Sequence, residues 1–453
     1  MYNKYDIIIR GILMYYLIKT YGCQMNVHES EKIAGILHDI GYEETEDEKQ
    51  ADIIIFNTCC IRETAEAKIN GHIGEVKRLK ERKPSLIVGV CGCMSQQEGV
   101  ADALKKKFPF LDIILGTANL CLLKQKILEI KSEQKRRALI DTQEFPIDET
   151  TPIFRTSGAN AWVNIIYGCN NFCTYCIVPH VRGSERSRKQ EDILAEIRSL
   201  IRQGYAEITL LGQNVNSYGK DFKDGTSFAG LLNEIAKLDG DFKLRFMTSH
   251  PRDFTDDVID AIAANPHVCH TIHLPVQSGS DHMLKVMNRH YTRQQYLDLV
   301  QKIRTKIPDV GLTTDIMVGF AGETEEDFLD TMDLVKKVRF SGIFTFIYSR
   351  RKGTVGYSMP EQVPQAVKKD RIKRLIAAQN LIVKEISKEH EGKTFEIIVE
   401  GRNTKYADGV YCGRTDDGRL LNFKSKTDLT GKKVLVKVKS SKSATLWGDL
   451  VEE

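Results

Sequence analysis

Residues 167–176 read YGCNNFCTYC and place Cys169, Cys173 and Cys176 at the spacing C-x3-C-x2-C. Three thiols so close on one loop cannot comfortably pair as disulfides, and they therefore indicate a metal site. One interpretation is a zinc site that includes the nearest histidine, His180, although the spacing is not that of a zinc finger. The other is a four-iron cluster, in which three thiolates leave one iron open to a further ligand.

The triplet follows the first strand of a long alternating pattern. Between about residues 160 and 386, at least six strand-like segments alternate with helical ones, which predicts a whole or partial (β/α) barrel with its functional loops after the strands. The strands are predicted at 162–166, 207–211, 244–247, 271–274, 311–317 and 343–348, and the helices at 191–202, 293–306 and 325–338.

The segment that precedes this pattern also alternates strands with helices and predicts a parallel α/β sheet. Its strand-like runs 16–20, 53–57 and 86–90 end beside Cys23, Cys59 and Cys93. Because the carboxyl ends of parallel strands share one edge, these three thiols could converge there. Their spacing alone favours buried structural cysteines instead, since free cysteine is among the most buried residue types. The intervening helices are predicted at 30–40, 63–80 and 98–107.

The last sixty or so residues change to short alternating runs with glycine-rich turns, which predict a small β-barrel. Arg402 and Arg414 are among its many cations, which either contact nucleic-acid phosphate or are solvated. The charged stretch 129–154 predicts a linker, with a solvated helix end as the alternative. We therefore expect an N-terminal domain at 14–128, the barrel domain at 155–388 and the C-terminal domain at 390–453.

Composition restricts the class of protein. The chain has 453 residues, 42% hydrophobic and 28% charged, with a net charge of +4, as is ordinary for a soluble protein of two or three domains. Its early apolar stretch, residues 7–18, is shorter than the roughly 20 residues that span a bilayer. Eleven cysteines without a secretion signal favour reduced thiols and a cytoplasmic location. Residues 1–13 are either an extension from an upstream start or a frayed tail.

The cysteine triplet, with Tyr175 directly before its last member, resembles the signature of the radical S-adenosylmethionine superfamily. The resemblance implies that the amino and carboxylate groups of S-adenosylmethionine chelate the open iron, and that its cleavage yields a 5′-deoxyadenosyl radical. Two further stretches fit the cofactor-binding pattern of the superfamily. They contribute Gly212, Gln213 and Asn214 after one strand, and Asp315 and Val318 in the stretch 315–319.

The stretches YGCQMN at 21–26, NTC at 57–59 and GCM at 92–94 resemble the N-terminal domain of the methylthiotransferases. This resemblance implies that Cys23, Cys59 and Cys93 hold a second four-iron cluster. Cys60 and Cys91 lie near them, but adjacent residues of an extended chain point in opposite directions, so only one thiol of each pair should face the site. The motifs select Cys59 and Cys93.

Four stretches, 167–179, 182–188, 212–218 and 273–280, resemble the branch of that family that acts on N6-isopentenyladenosine 37 of tRNA. The tail resembles a TRAM domain, an RNA-binding barrel. Departures are small: Ala321 stands where proline is expected and Gly356 where alanine is usual. Competing interpretations are the branch that modifies a ribosomal-protein aspartate and a zinc-scaffold or RNA-binding protein without radical activity.

The resemblance implies methylthiolation at C2 of the adenine with two S-adenosylmethionine molecules, one the methyl donor and the other the radical source. The transferred sulfur would be held on the N-terminal cluster. The expected partners are the tRNA anticodon stem-loop and a one-electron reductant of the flavodoxin or ferredoxin type, with the protein a monomer and no membrane involved.

Some polar residues near the triplet have two interpretations. Arg182, Arg186 and Arg188 either steer RNA towards the barrel or pair with acidic residues such as Glu185 and hold the cofactor carboxylate. His250, after a predicted strand, either shapes the cofactor or base pocket or is a structural histidine.

Overall fold

The computed structural model describes residues 13–59, 63–133, 139–141, 147–155, 158–406 and 409–451. The chain forms two compact units. The first comprises residues up to 156 together with 177–184, and the second comprises 157–176 together with all residues from 185. Within the described ranges, no helix is long and apolar enough to cross a membrane.

A six-stranded parallel sheet forms the centre of the first unit, with the strand order β2-β1-β3-β4-β5-β6. The strands are β1 Met14–Thr20, β2 Tyr42–Glu44, β3 Ile53–Thr58, β4 Ile87–Gly92, β5 Ile113–Leu115 and β6 Leu139–Asp141. The helices are α1 Gln24–Asp39, α2 Glu63–Arg82, α3 Val100–Lys107 and α4 Leu123–Glu133.

The central strands of this sheet are buried on both faces. In β3, Ile53 and Ile55 belong to one hydrophobic cluster, whereas Ile54 and Phe56 belong to another. Burial of alternate residues on opposite faces explains why the strand reads as a continuous apolar run, as is usual in parallel sheets covered by helices. The predicted parallel α/β sheet is confirmed.

The stretch 129–154 differs from the predicted linker. Residues 139–141 form β6, which pairs in parallel with β5 and extends the sheet. Further along, the backbone N–H of Phe154 donates to the carbonyl oxygen of Glu31 at 3.0 Å. Parts of this stretch therefore belong to the first unit. The short strand escaped prediction because three residues carry no usable period.

Six parallel strands form the partial barrel of the second unit, as two three-stranded sheets, β11-β10-β7 and β12-β13-β14. A parallel bridge between Leu244 and Val268 links the third strand to the segment ahead of the fourth. The predicted partial barrel is confirmed. Its strands, with the small pair β8 and β9, are β7 Asn160–Asn164, β8 Ile166–Tyr167, β9 Arg186–Ser187, β10 Glu207–Leu211, β11 Lys243–Phe246, β12 Thr271–His273, β13 Gly311–Val318 and β14 Gly342–Ile347.

Helices pack outside these strands around one large apolar core that includes Ile208, Leu244 and Ile316. The helix Val178–Arg182 contributes no residue to this core and belongs to the first unit. The helices are α5 Val178–Arg182, α6 Gln190–Arg202, α7 Phe228–Ile235, α8 Asp256–Ala264, α9 Asp281–Val286, α10 Arg293–Lys306, α11 Glu325–Val338, α12 Val355–Ser358 and α13 Gln365–Lys388.

The chain ends in a closed five-stranded barrel, which confirms the predicted small β-barrel. Its loop 415–418 packs against the amino ends of the larger barrel's strands. Thr271, the first residue of β12, donates its hydroxyl to the Asp416 carbonyl oxygen at 2.5 Å, and Arg245 donates to the Thr415 carbonyl oxygen at 3.1 Å. The strands are β15 Thr394–Arg402, β16 Val410–Arg414, β17 Leu420–Lys424, β18 Lys433–Lys442 and β19 Thr445–Leu450.

Candidate active site

Three cysteines end three neighbouring strands of the first unit. Cys23 follows β1 and is the N-cap of α1, Cys59 directly follows β3, and Cys93 directly follows β4. Because β1, β3 and β4 are adjacent and parallel, all three residues lie on the carboxyl edge of the sheet. The strand order therefore produces the predicted convergence of these distant cysteines on one edge.

Two glycines allow the cysteine-bearing loops to approach one another. Gly22 has a φ of +135°, and a Cβ there would lie 2.8 Å from the Cβ of Cys59. Gly92 has a φ of +99°, and a Cβ there would lie 2.8 Å from Oδ1 of Asn57. Both positions combine a left-handed backbone with close packing, so only glycine fits without strain.

Asparagine side chains fasten the same loops together. The Asn26 side chain donates to Oδ1 of Asn57 at 3.1 Å and to the carbonyl oxygen of Thr58 at 3.2 Å. In return, Nδ2 of Asn57 donates to the Asn26 carbonyl oxygen at 2.7 Å and to the Ser30 hydroxyl at 2.9 Å. The backbone N–H of Cys93 donates to the carbonyl oxygen of Thr58 at 2.9 Å. All three cysteine loops are thus connected by buried hydrogen bonds.

The structure separates Cys91 from Cys93. Cys91 belongs to the apolar cluster on one face of the sheet, and burial together with the charge of Glu29 raises the pKa of its thiol well above the ordinary value. Cys93 instead packs against Ile177 and Val181. The turn at Gly92 ends the strand between them, so the two thiols have different surroundings although they are two residues apart. Cys60 lies outside the described residues.

Two of the arginines proposed for RNA are buried in ion pairs. Arg182, in the first unit, donates from Nη1 to Oε1 of Glu29 at 2.7 Å, and Arg188, in the second unit, donates to Oε2 of Glu196 at 2.7 Å. Both side chains are less than one-tenth exposed. Both arginines therefore pair with carboxylates, although the partners are not Glu185. The prediction that these two side chains contact RNA is corrected.

The triplet loop of the second unit has a compact, hydrogen-bonded form. The Asn171 backbone N–H donates to Sγ of Cys169 at 3.4 Å, and the Cys176 N–H donates to the Cys173 carbonyl oxygen at 2.9 Å. Burial raises the pKa of the Cys169 thiol to about 11. Iron binding must therefore displace a proton from this thiol, as metal binding to cysteine does in general.

Arg289 is a functional candidate that sequence reasoning missed. Its guanidinium is buried and donates to Sγ of Cys173 and to the hydroxyl of Tyr175, both at 3.4 Å, and to the Pro275 carbonyl oxygen at 2.7 Å. Tyr175, the aromatic residue of the triplet, packs edge-on against Phe320. A fixed positive charge beside a thiolate favours the ionised form that binds iron. Nothing in the local sequence distinguishes this arginine from a surface one.

A chain of polar contacts joins the triplet loop to the predicted cofactor stretch. Arg252 donates to Oδ1 of Asn171 at 2.6 Å and to Oδ1 of Asp253 at 3.2 Å, and Nδ2 of Asn214 donates to Oδ2 of Asp253 at 2.7 Å. Burial by itself raises the pKa of Asp253, but hydrogen bonds from Lys220 and Arg252 outweigh it and hold the pKa at about 2. Asp253 is therefore a fixed anion that positions both loops.

Several polar atoms near these loops are buried and have no hydrogen-bond partner within the part of the chain that the structure describes. They belong to residues at the end of the first barrel strand or after the first three strands, where the functional loops of such barrels lie. Buried polar groups are nearly always satisfied, so these atoms are expected to bind water or a polar ligand. This fits the amino-acid portion of S-adenosylmethionine. The residues are Asn164, Asn171, Asn214, Asn216 and Ser249.

The predicted cofactor residues of β13 lie on opposite faces of the strand. Asp315 is partly exposed on the face that also carries Thr313 and Met317, and its Oδ1 lies 3.6 Å from Nε2 of His273. Val318 is fully buried in the apolar core, so its side chain does not share a face with Asp315, and its part in cofactor binding stays a prediction. Gly212 packs tightly on Ile166, where a Cβ would collide, and so lets β10 turn close to β8.

His250 is held by its neighbours and is uncharged. Its Nδ1 accepts from the backbone N–H of Arg252 at 3.2 Å, and its ring packs edge-on against Tyr291. Burial and the charge of Arg289 lower its pKa to about 2. The structural interpretation of this histidine is the one that the contacts support.

The zinc alternative lacks a ligand set. Among the described residues, no three His, Cys, Asp or Glu side chains are grouped closely enough to hold a single metal ion. A four-iron cluster is much larger than one ion, so its thiolates stand farther apart. Two cysteine triads without histidine match the ligand type of iron–sulfur clusters.

Cations and an exposed aromatic ring surround a cavity on the C-terminal barrel. The cavity has a volume of about 260 Å³ and is lined by residues that include Arg402, Lys405 and Tyr406. Arg402 is exposed, and its Nε lies 3.2 Å from the hydroxyl of Tyr411. The other predicted RNA contact, Arg414, is also exposed and pairs with Glu400 at 3.1 Å. Both arginines remain accessible to phosphate.

Three protein families match successive parts of the chain. Residues 15–116 match the uncharacterized protein family UPF0004, residues 163–335 match the radical SAM superfamily, and residues 388–451 match the TRAM domain. Among solved structures, the radical S-adenosylmethionine methyltransferase TsrM from Kitasatospora setae aligns with a TM-score of 0.56 at 15% identity. That alignment covers 88% of this chain and 79% of TsrM, and it shows a shared fold.

Curated relatives are much closer in sequence. A protein of Clostridium tetani named tRNA-2-methylthio-N(6)-dimethylallyladenosine synthase is 51% identical, with 96% of each chain covered. The protein of that name from Carboxydothermus hydrogenoformans is 55% identical over 96% of this chain and 99% of its own length. Identity of this extent, over almost the whole of both chains, means that this protein belongs to the tRNA-2-methylthio-N(6)-dimethylallyladenosine synthase family of radical SAM enzymes.

Proposed function

We propose that the protein methylthiolates C2 of N6-(dimethylallyl)adenosine 37 in tRNA. The observation that carries the proposal is the pair of cysteine triads: Cys23, Cys59 and Cys93 follow three neighbouring parallel strands, and Cys169, Cys173 and Cys176 share one loop after the first strand of the partial barrel. A triad of thiolates leaves one iron of a four-iron cluster open. Methylthiolation needs one such site for S-adenosylmethionine and another for sulfur.

Each triad has a defined part in this proposal. Cys169, Cys173 and Cys176 hold the cluster that binds S-adenosylmethionine, while Cys23, Cys59 and Cys93 hold the cluster that carries sulfur. When bound, the clusters and two S-adenosylmethionine molecules supply the methyl group, the sulfur and the 5′-deoxyadenosyl radical that removes hydrogen from C2.

The protein's own residues bind and orient S-adenosylmethionine. Asn214 and Asp253 position the loop that receives the amino-acid portion of S-adenosylmethionine, with Gly212 and Gln213 in the same loop. Asp315 lies on a partly exposed face of β13 and is proposed to meet the nucleoside portion. Tyr175 and Arg289 pack on the triplet loop and keep water from it.

RNA binding is proposed for the C-terminal barrel and for one arginine near the triplet. Arg402 and Arg414 are exposed cations that suit phosphate, which supplies affinity without base selection. Arg186 remains a candidate. The anticodon stem-loop suits the chemistry, because a loop base leaves its stack at a smaller cost than a base in a duplex. A flavodoxin- or ferredoxin-type reductant, a monomeric state, a cytoplasmic location and the three domains at 14–128, 155–388 and 390–453 complete the proposal.

The test uses purified protein reconstituted with iron and sulfide without oxygen. The intact protein should bind about eight irons per chain and the triple variant Cys23→Ala, Cys59→Ala, Cys93→Ala about four. Incubation with S-adenosylmethionine, a reductant and isopentenylated tRNA should yield the methylthio nucleoside in a mass spectrum of digested tRNA. Methylthio transfer by the triple variant would refute the proposal. Modification of a ribosomal protein in place of tRNA would favour the competing branch.

A further inference from the structure

A buried ion pair lies beside the cysteine triad of the first unit. Arg182 and Glu29 are 2.7 Å apart, and their side chains are only 6% and 5% exposed. Glu29 lies on α1, the helix that Cys23 caps. Arg182 ends α5, whose Val181 packs with Cys93. Each member of the pair therefore belongs to an element that contacts or begins at one of the triad cysteines.

Burial of two charges is costly, and such a pair contributes little net stability over apolar residues of the same size. Its position next to three thiols suggests a different use. The charges of Cys93 and Glu29, and that of Cys23, raise the pKa of Arg182, so its guanidinium stays positive despite burial. A fixed cation and a fixed anion beside a cluster alter its reduction potential, because net charge is one of the properties that set it.

The triplet site of the second unit offers a contrast. Arg289 is likewise buried beside a cysteine, but its contacts in the described part of the chain are with sulfur, phenol and carbonyl groups. It has no carboxylate partner there. The Arg289 guanidinium thus has no carboxylate among its described hydrogen-bond partners, whereas the Arg182 guanidinium is paired with Glu29.

We propose that the Arg182–Glu29 pair sets the charge around the auxiliary cluster, with Arg182 raising its reduction potential and Glu29 lowering it. The carboxylate then keeps the sulfur-carrying cluster harder to reduce, so that the electron goes to the cluster that cleaves S-adenosylmethionine. Both are positioning residues, since they act through the cluster. This inference rests on the proposed function, in which Cys23, Cys59 and Cys93 hold that cluster.

The test isolates the auxiliary cluster by replacing Cys169, Cys173 and Cys176 with alanine in the full chain. After anaerobic reconstitution, iron content is measured and the midpoint potential is determined by a redox titration followed by electron paramagnetic resonance. We expect Glu29→Gln to raise the midpoint, Arg182→Gln to lower it, and Arg182→Lys, which keeps the charge, to stay near the parent value. The matched control on α1 is Asp39→Asn, which removes an exposed carboxylate that contacts Lys124. This variant should leave the midpoint potential unchanged.

Arg182→Gln leaves Glu29 buried without its cation and could lose the cluster. In that case the Glu29→Gln variant gives the decisive midpoint, because the Arg182 charge that this variant leaves without a carboxylate faces thiolates. A parent protein with about four irons and a Glu29→Gln midpoint no higher than the parent's would overturn the inference while the proposed function stands. A parent protein that binds no iron would refute the second cluster itself, and the inference with it.

Discussion

Asn26 and Asn57 exchange hydrogen bonds across two cysteine loops, with Nδ2 of Asn26 3.1 Å from Oδ1 of Asn57 and Nδ2 of Asn57 2.7 Å from the Asn26 carbonyl oxygen. Both side chains are fully buried. Because Asn26 lies three residues after Cys23 and Asn57 two residues before Cys59, this exchange fixes the separation of the two thiols. Polar contacts between the chain's own residues therefore hold these two cysteine loops together.

The first prediction concerns that exchange. Asn57→Ala removes one partner each from the buried amide and carbonyl groups of Asn26, and each lost hydrogen bond costs about 0.5–1.5 kcal/mol. We expect the variant to lose iron from the N-terminal triad and to keep the iron of the triplet, so that reconstitution yields about four irons instead of eight. The matched control is Asn422→Ala, which breaks an asparagine pair with Asn403 in the C-terminal barrel. Full iron in Asn57→Ala would contradict the prediction.

The second prediction separates neighbouring cysteines. Cys91→Ala removes a small buried group from the apolar cluster, and we expect a loss of about 1 kcal/mol in the free energy of unfolding and no loss of iron. Cys93→Ala should remove the N-terminal cluster. Iron analysis and thermal unfolding of the two variants provide the measurement. Equal iron loss in both would mean that the motif selected the wrong thiol.

The third prediction addresses the anion that joins the triplet loop to β10. Asp253→Asn removes the charge that holds Arg252 and Lys220. Hydrogen bonds to a charged group contribute about 1.5–3 kcal/mol, so the Kd for S-adenosylmethionine should rise about tenfold to a hundredfold. Equilibrium binding to the reconstituted protein measures it. Asp256→Asn, an exposed partner of Lys302, should leave the Kd unchanged.

The fourth prediction concerns the C-terminal barrel. Arg402→Ala should weaken tRNA binding for all tRNA sequences and reduce the slope of log affinity against log salt by about 1, as expected for a phosphate contact. Arg414→Ala should have a smaller effect, because Glu400 already neutralises that arginine. Binding titrations at several salt concentrations test both. A slope that neither variant changes would exclude these arginines from the RNA interface.

The fifth prediction concerns Asp417, in the loop that packs under the larger barrel. Burial favours its neutral form, but hydrogen bonds from His390 and Thr415 outweigh burial and lower its pKa. The unfolded-state pKa is about 3.9, so the stabilisation is present above that pH and is lost as the pH falls through the lower folded-state value.

Asp417→Asn should accordingly lower the thermal midpoint at pH 7, by the equivalent of about 1–3 kcal/mol, and lower it progressively less as the solution is acidified below pH 4. Differential scanning calorimetry at several pH values provides the comparison. Asp449→Asn, which breaks an exposed pair with Lys439, should change little at any pH. A constant difference between wild type and Asp417→Asn at all pH values would contradict this.

Sequence reasoning succeeded where a residue's role depends on its neighbours along the chain. The structure confirms the predicted helices 293–306 and 325–338 with the same bounds, and Thr292 and Thr324 begin them with capping boxes. The strands that end at the cysteines were found because each is a short apolar run along the chain. Their meeting at one edge followed from the rule for parallel strands.

Sequence reasoning failed where a role depends on residues far apart in the chain. Arg182 reads as part of a basic, solvent-facing run, yet its partner Glu29 is 153 residues away and buries it. The part predicted for Val318 in cofactor binding stays a prediction, although the alternation of β13 turns its side chain into the core. The three-residue strands β5 and β6 are too short to show a period. Each of these needs the folded chain to be seen.

Through the loop 415–418, the C-terminal barrel has a structural role besides the proposed RNA binding. Asp417 lies where a side chain on Gly311 would collide, and Arg245 and Thr271 donate to the carbonyl oxygens of the two residues before it, Thr415 and Asp416. A truncation before residue 390 would therefore leave the floor of the larger barrel open to solvent, with Arg245 and Thr271 deprived of these acceptors. The domain that resembles an RNA-binding module therefore also covers one end of the larger barrel. A different RNA-binding domain at this position would have to cover that end as well.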